Sequence, residues 1–147
     1  MHGNRKVRDT MANIGIIGAG SWGIALSVLL SNNGHNVKVW SALEDEIKML
    51  SLHREHKDKL PGVILSDRIT FTTNLQEVIE GMDLLVMAVP SPFVRKTASD
   101  MKPFVGEGQI IVNVAKGIEE TTLMTLSQII EEEVPQAEVT VLSGPSH

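Results

Sequence analysis

The chain has no cysteine in its 147 residues. That excludes a disulfide framework and removes thiolates both as metal ligands and as nucleophiles, which fits a reducing compartment. An excess of positive charge is missing too: 13 Lys and Arg stand against 18 Asp and Glu, for a formal charge of −5 and a pI near 5.5. Such a balance gives no broad attraction to nucleic acid or to an anionic membrane, so any bound phosphate must be held by local geometry. No apolar stretch reaches the roughly 18 to 20 residues that span a bilayer, so no membrane span is expected and a cytoplasmic setting follows by default. Heptads, low-complexity tracts and internal repeats are absent as well. With 42% hydrophobic residues, the length suits one compact domain with a real core.

What is present is an alternation of two patterns. Short runs suited to strands are "NIGII" from Asn13, fit for burial on both faces, the alternating "NVKVW" from Asn36, "RITFTT", the almost uninterrupted apolar "DLLVMAV" from Asp83, the buried "QIIVNVA" from Gln109 and "EVTVLSG". Between them lie helical segments. "SWGIALSVLLSNNG" stops at Gly34, and "ALEDEIKMLSL" opens behind a Ser41/Glu44 capping-box spacing. "NLQEVIEG" has Asn74 as cap and Glu77 at N3, and "SPFVRKTASDM" has Ser91 as cap and Pro92 at its first position. "TTLMTLSQIIEEEV" presents Leu123, Leu126 and Ile130 on one face and ends at Pro135. Strands alternating with helices over short connections predict an α/β fold of Rossmann type, a doubly wound, mostly parallel sheet with helices on both faces. The opening "MHGNRKVRDT" carries Arg5, Lys6 and Arg8 without an apolar segment, so it is not a secretory signal. Residues 1–10 read as a disordered extension and residues 11–147 as the folded domain.

The first strand runs into Gly18-Ala19-Gly20-Ser21-Trp22-Gly23. A Gly-x-Gly-x-x-Gly set between a strand and a helix has a mechanical reading as a dinucleotide turn. Gly18 makes the bend, Gly20 removes the side chain that would face a pyrophosphate, and Gly23 lets helix and strand approach. The free amides and dipole of the helix start favour an anion by roughly 0.3 to 2 kcal/mol, so adenine and ribose contacts must add the rest. The acidic residue that would bind a ribose 2′-hydroxyl is due about 20 residues on, at the end of the second strand. Ser41 and Ala42 stand there instead, with no arginine for a 2′-phosphate, which leaves NAD and NADP both open.

In an open parallel sheet, ligands bind beyond the carboxyl ends of the strands. There the sequence places Pro90 and Ser91 after the fourth strand, Lys116-Gly117 after the fifth, and Ser143-Gly144-Pro145-Ser146 after the last. Lysines are mostly surface residues, but an ammonium at this rim could polarise a substrate oxygen and stabilise its charge as hydride moves. "VPSPFV" serves as a helix cap whose amides can also touch the cofactor. His53 and His56 lack a third ligand and read as part of a solvated face, and no metal site is assigned.

"GAGSWGIAL", "VKVW", "KLPG", "MAVPS", "AKGIE" and "LSGPS" occur in an order that resembles the bacterial NAD(P)-dependent glycerol-3-phosphate dehydrogenases, from about Met11 to the final residue. The resemblance implies reversible hydride transfer between nicotinamide and dihydroxyacetone phosphate or sn-glycerol 3-phosphate, feeding phospholipid synthesis. It implies that Gly18, Gly20 and Gly23 form the phosphate turn, that Ser21 and Trp22 contact the cofactor, and that Lys116 reaches cofactor and substrate. Gly144 and Ser146 match substrate-contacting positions. Ala19, Ser41, Ala42, Pro90 and Ser91 complete the expected cofactor set. The family often has arginine at Ala42 and tyrosine at Lys59. Its members continue past the serine at Ser146 into a helical domain with the general acid/base lysine and the substrate-phosphate grip. The expectation is therefore a cofactor half that binds nucleotide with little or no turnover, from a parent homodimer. Two rivals are the cofactor domain of another hydroxy-acid or sugar-phosphate dehydrogenase and a non-catalytic nucleotide-sensing module. "AKGIE" with "SGPS" speaks against the first, and the substrate-facing lysine against the second.

Overall fold

The computed structural model describes residues 11–142. Six strands form one parallel sheet: β1 (Asn13–Ile17), β2 (Asn36–Trp40), β3 (Ile69–Thr72), β4 (Leu84–Met87), β5 (Ile110–Asn113) and β6 (Glu138–Val141). Their order across the sheet is β3-β2-β1-β4-β5-β6, so the direction of winding reverses between β1 and β4. That reversal opens a crevice at the carboxyl edge beside β1, where doubly wound sheets take their ligands. Every recorded strand pair is parallel, as the alternation of strand and helix predicts.

The crossovers carry α1 (Ser21–Asn32), α2 (Glu44–His53), α3 (Leu75–Ile79), α4 (Val94–Met101) and α5 (Leu126–Glu133). Two apolar cores result, one on each face. Ile14, Ile16, Val37, Val39 and Ile69 pack with Ile24 of α1 and Leu50 of α2. Ile17, Leu85, Met87 and Ile111 pack with Val78, Val94, Ala98, Met101, Leu126 and Ile130 from α3, α4 and α5. Each fully buried isoleucine or leucine contributes about 1.5 to 3 kcal/mol. In α1 the buried positions are Gly23, Ile24, Ser27 and Ser31. Small residues bring this helix close to the sheet, and the two hydroxyls are satisfied locally by donating to the Ile24 and Val28 carbonyls at 2.6 and 3.1 Å.

Several helix starts differ from the sequence expectation. Ser41 does not form a capping box with Glu44: its Oγ accepts from the Leu43 amide at 3.0 Å and donates to Glu46 at 2.6 Å, and Leu43 occupies the N-cap of α2. Ser91 does not cap an α-helix either. Pro90 sits at the cap of a 3-10 turn, Ser91–Phe93, and α4 follows at Val94. In the last segment Leu123 lies outside the helix with φ 61°, exposed, because α5 begins at Leu126 behind a Thr125/Gln128 capping box. Asn74 behaves as expected, its Oδ1 accepting from the Glu77 amide at 3.3 Å. No helix among the described residues is long and apolar enough to cross a membrane.

Candidate functional site

The glycine turn is built by close backbone packing at two positions and left open at the third. Gly18 has φ 126°, a conformation that L side chains rarely adopt, and a Cβ there would lie 2.8 Å from the Ala88 carbonyl group. A Cβ on Gly23 would lie 2.1 Å from the Gly18 carbonyl oxygen. At Gly20 the surroundings are open: among the described residues, chain neighbours aside, a Cβ would have one neighbour within 4 Å, the Lys59 Nζ at 4.0 Å. Gly20 has extended backbone angles (φ −75°, ψ −173°), so nothing in the turn itself demands glycine there. The vacant side is the one a phosphate group would use.

Gly20 is also the N-cap of α1, with no side chain capping the helix and no acidic residue in its first turn. The Ile24 amide closes the first helical bond onto the Gly20 carbonyl at 2.9 Å, which leaves the preceding amides of the first turn to an outside acceptor. Such a start binds anions through N–H groups and the helix dipole. Glycine without a Cβ, uncapped amides and a cation overhead fit a dinucleotide diphosphate.

The neighbouring strands bring the other expected residues to this edge. The Gly18 amide donates to the Trp40 carbonyl at 2.9 Å and the Ala88 amide to the Ile17 carbonyl at 2.9 Å, so the exits of β1, β2 and β4 are bonded together. Pro90 and Ser91 follow directly, both exposed, as is Trp22 of the turn; Ala19 is buried beneath it. Ser41 is buried and its hydroxyl is already engaged by Leu43 and Glu46, while Ala42 beside it is exposed. Exposed Lys116 leaves β5 at the same edge. Gly144 and Ser146 lie outside the described residues.

Three supports escaped the sequence reading. Asn113 is buried at the end of β5, where its Oδ1 accepts from the Ala115 amide at 3.0 Å and its Nδ2 donates to Ser127 at 3.0 Å, shaping the exit to Lys116. Glu119 accepts both arms of the Arg95 guanidinium, at 2.8 and 2.9 Å, which anchors the segment after Lys116 to α4. That pairing, helped by a hydrogen bond from Thr122, lowers the Glu119 carboxyl from 4.5 to about 2, and the bonds to Glu119 and then Glu133 hold Arg95 above its ordinary value. His56 is only 2% exposed, not part of a solvated face, and its Nε2 lies 2.7 Å from Glu46. Among the described residues, no cluster of three or more His, Asp or Glu could hold a metal. Two open clefts of about 460 and 310 Å³ lie at the opposite, amino-terminal edge of the sheet, lined by Asp83, Gly106 and Gln109 and by Asn13, Asn36 and Arg68 respectively.

Strand order and open glycine turn define a dinucleotide-binding unit of the Rossmann type. Residues 13–147 match the family model described as NAD-dependent glycerol-3-phosphate dehydrogenase N-terminus. The chain belongs to this family. It is 63% identical over 137 residues to the glycerol-3-phosphate dehydrogenase [NAD(P)+] of Agathobacter rectalis, a match covering 93% of this chain and 41% of that protein. With the enzyme of the same name from Fusobacterium nucleatum it shares 48% identity over 139 residues, covering 93% and 42%. The crystal structure of glycerol-3-phosphate dehydrogenase from Coxiella burnetii superposes with a TM-score of 0.85 at 28% identity, over 93% of this chain and 42% of that one. The chain thus spans about two fifths of the length of the curated relatives it matches.

Proposed function

We propose that residues 11–147 form the NAD(P)-binding domain of an enzyme that transfers hydride reversibly between NAD(P)H and dihydroxyacetone phosphate, giving sn-glycerol 3-phosphate for phospholipid synthesis in the cytoplasm. The observation that carries the reading is the space at Gly20 above the uncapped start of α1. Gly18 and Gly23 shape the turn, and the amides of Ser21 and Trp22 hold the diphosphate. Ser41 and Ala42 border the adenosine ribose, while Pro90 and Ser91 line the path toward nicotinamide.

The nicotinamide, when bound, supplies or accepts the hydride. Lys116 then hydrogen-bonds the substrate oxygen at C2 and stabilises the negative charge that grows there in the direction of reduction. Gly144 and Ser146 touch the substrate. The general acid/base lysine and the grip on substrate phosphate are assigned to a helical domain, as is the contact between two subunits. On this reading the 147-residue chain by itself binds nucleotide and turns over little or no substrate.

The test is titration of the chain with NADH and NADPH, followed by cofactor fluorescence and calorimetry, for wild type and Gly20→Val. Saturable binding to wild type that disappears in a folded G20V variant is expected. A wild-type chain that takes up neither nucleotide, or a G20V variant that binds as well as wild type, overturns the reading.

A further inference from the structure

Resting on that reading, we infer that Lys59 is a phosphate-binding residue which meets the cofactor's pyrophosphate beside the helix amides. The placement is specific. Lys59 belongs to the connection between α2 and β3, yet among the described residues, chain neighbours aside, its Nζ is the one group within 4 Å of the position a Gly20 Cβ would take. A diphosphate seated on the α1 amides would therefore lie within reach of two positive elements, the helix start and the ammonium. Among the described residues Lys59 has no carboxylate within 4.0 Å, so its charge is not consumed by an ion pair.

The loop carrying this lysine is tied down from both ends of the site. On the turn side, Ser21 Oγ donates to the Lys59 carbonyl at 3.0 Å, joining the first residue of α1 to the loop. Beneath it, the Lys59 amide donates to His56 Nδ1 at 3.3 Å, and the other ring nitrogen of His56 meets Glu46 at 2.7 Å. Glu46 in turn accepts from Ser41, at the end of β2 where the adenosine ribose is expected. A further bond from the Leu60 amide to the His56 carbonyl, 2.9 Å, closes the loop on itself. Arg54 anchors its start by stacking on Phe71 at 5.1 Å and donating to the Ile69 carbonyl at 2.7 Å. These contacts fix the backbone and leave only the lysine stem free to follow the ligand.

Because the pyrophosphate is common to both nicotinamide cofactors, the contact is blind to the 2′-phosphate. Titrations of wild type, Lys59→Ala and Lys59→Arg with NADH and with NADPH, each at low and high salt, test this. K59A should weaken both nucleotides by a similar factor, about three- to tenfold for one exposed charge. The deficit should shrink at high salt as the charge is screened, and K59R should recover most of it. Since Lys59 is exposed, thermal midpoints should stay at the wild-type value. Equal affinity of K59A and wild type overturns the inference and leaves the proposed function standing, as does a loss confined to NADPH, which would put the ammonium at the 2′-phosphate. A wild-type chain that binds neither nucleotide overturns both.

Discussion

Gly23 and Gly18 meet so closely that a methyl group on the first would lie 2.1 Å from the carbonyl oxygen of the second. The obstacle is backbone, so it cannot swing aside as a side chain would. Gly23→Ala should therefore destabilise the domain by about 3 kcal/mol, the upper end of overpacking costs. Gly20→Val, whose Cβ meets open space, should cost only about 1 kcal/mol, for a poorer helix cap. Urea unfolding of the two variants beside wild type separates the glycine that packs from the glycine that leaves room for ligand. Equal destabilisation would mean that the turn's three glycines share one structural task.

How much of this was legible in the sequence follows from the range of the contacts involved. The sheet and its two helical faces were, because β-branched runs alternating with amphipathic segments admit few topologies, and the bend at Gly18 and the close approach at Gly23 were, because their spacing is local. Gly15 was not. A Cβ on it would lie 2.1 Å from the Val78 carbonyl oxygen, an approach of α3 to β1 from 63 positions away in the chain. The burial of His56 was hidden for the same reason: its partner Glu46 sits on the preceding helix, ten positions earlier, and nothing in "HREH" separates a solvated ring from a sequestered one. Ser41 was misassigned to Glu44 because capping-box spacing is a local signal, and the chain instead used the hydroxyl to reach Glu46.

The Arg95–Glu119 pair gives a pH dependence of known sign. Glu119 has its folded carboxyl lowered to about 2 by the hydrogen bonds from Arg95 and then from Thr122, against an ordinary value of 4.5. A depressed folded value means that the pairing stabilises the domain above pH 4.5 and that this contribution fades as pH falls toward 2. Urea midpoints of wild type and Arg95→Met measured from pH 7 down to pH 3 should accordingly converge in the acid range. A gap that stays constant or widens on acidification would show that the bonds in the structure do not govern this carboxyl.

Lys116 should separate binding from chemistry. It is exposed, and the turn that delivers it is made by Asn113 and Glu119 rather than by its own side chain. Lys116→Ala in a full-length enzyme carrying this domain should keep its fold while losing about 10²- to 10³-fold in kcat, the scale for removing one donor to a developing oxyanion. Steady-state kinetics with dihydroxyacetone phosphate, together with NADH titration of the same variant, check this. Near-normal turnover would make the lysine a bystander at the rim.

On the proposed binding mode, cofactor choice turns on the end of β2. Ser41 is buried with its hydroxyl committed to Glu46 and the Leu43 amide, so it has little left to offer a ribose phosphate. Ala42 next to it is exposed and carries no charge. Placing a guanidinium there supplies the planar donor fork suited to a phosphate without disturbing a packed residue. Ala42→Arg should therefore tighten NADPH by about tenfold, the worth of one charge-assisted hydrogen-bond pair at a partly wet site, with NADH changed little. The ratio of the two dissociation constants, not either alone, is the informative quantity, because a general gain in positive charge would tighten both. If A42R shifts the two cofactors by the same factor, the 2′-position of the ribose lies away from β2, and the direction in which the dinucleotide runs across the sheet must be redrawn.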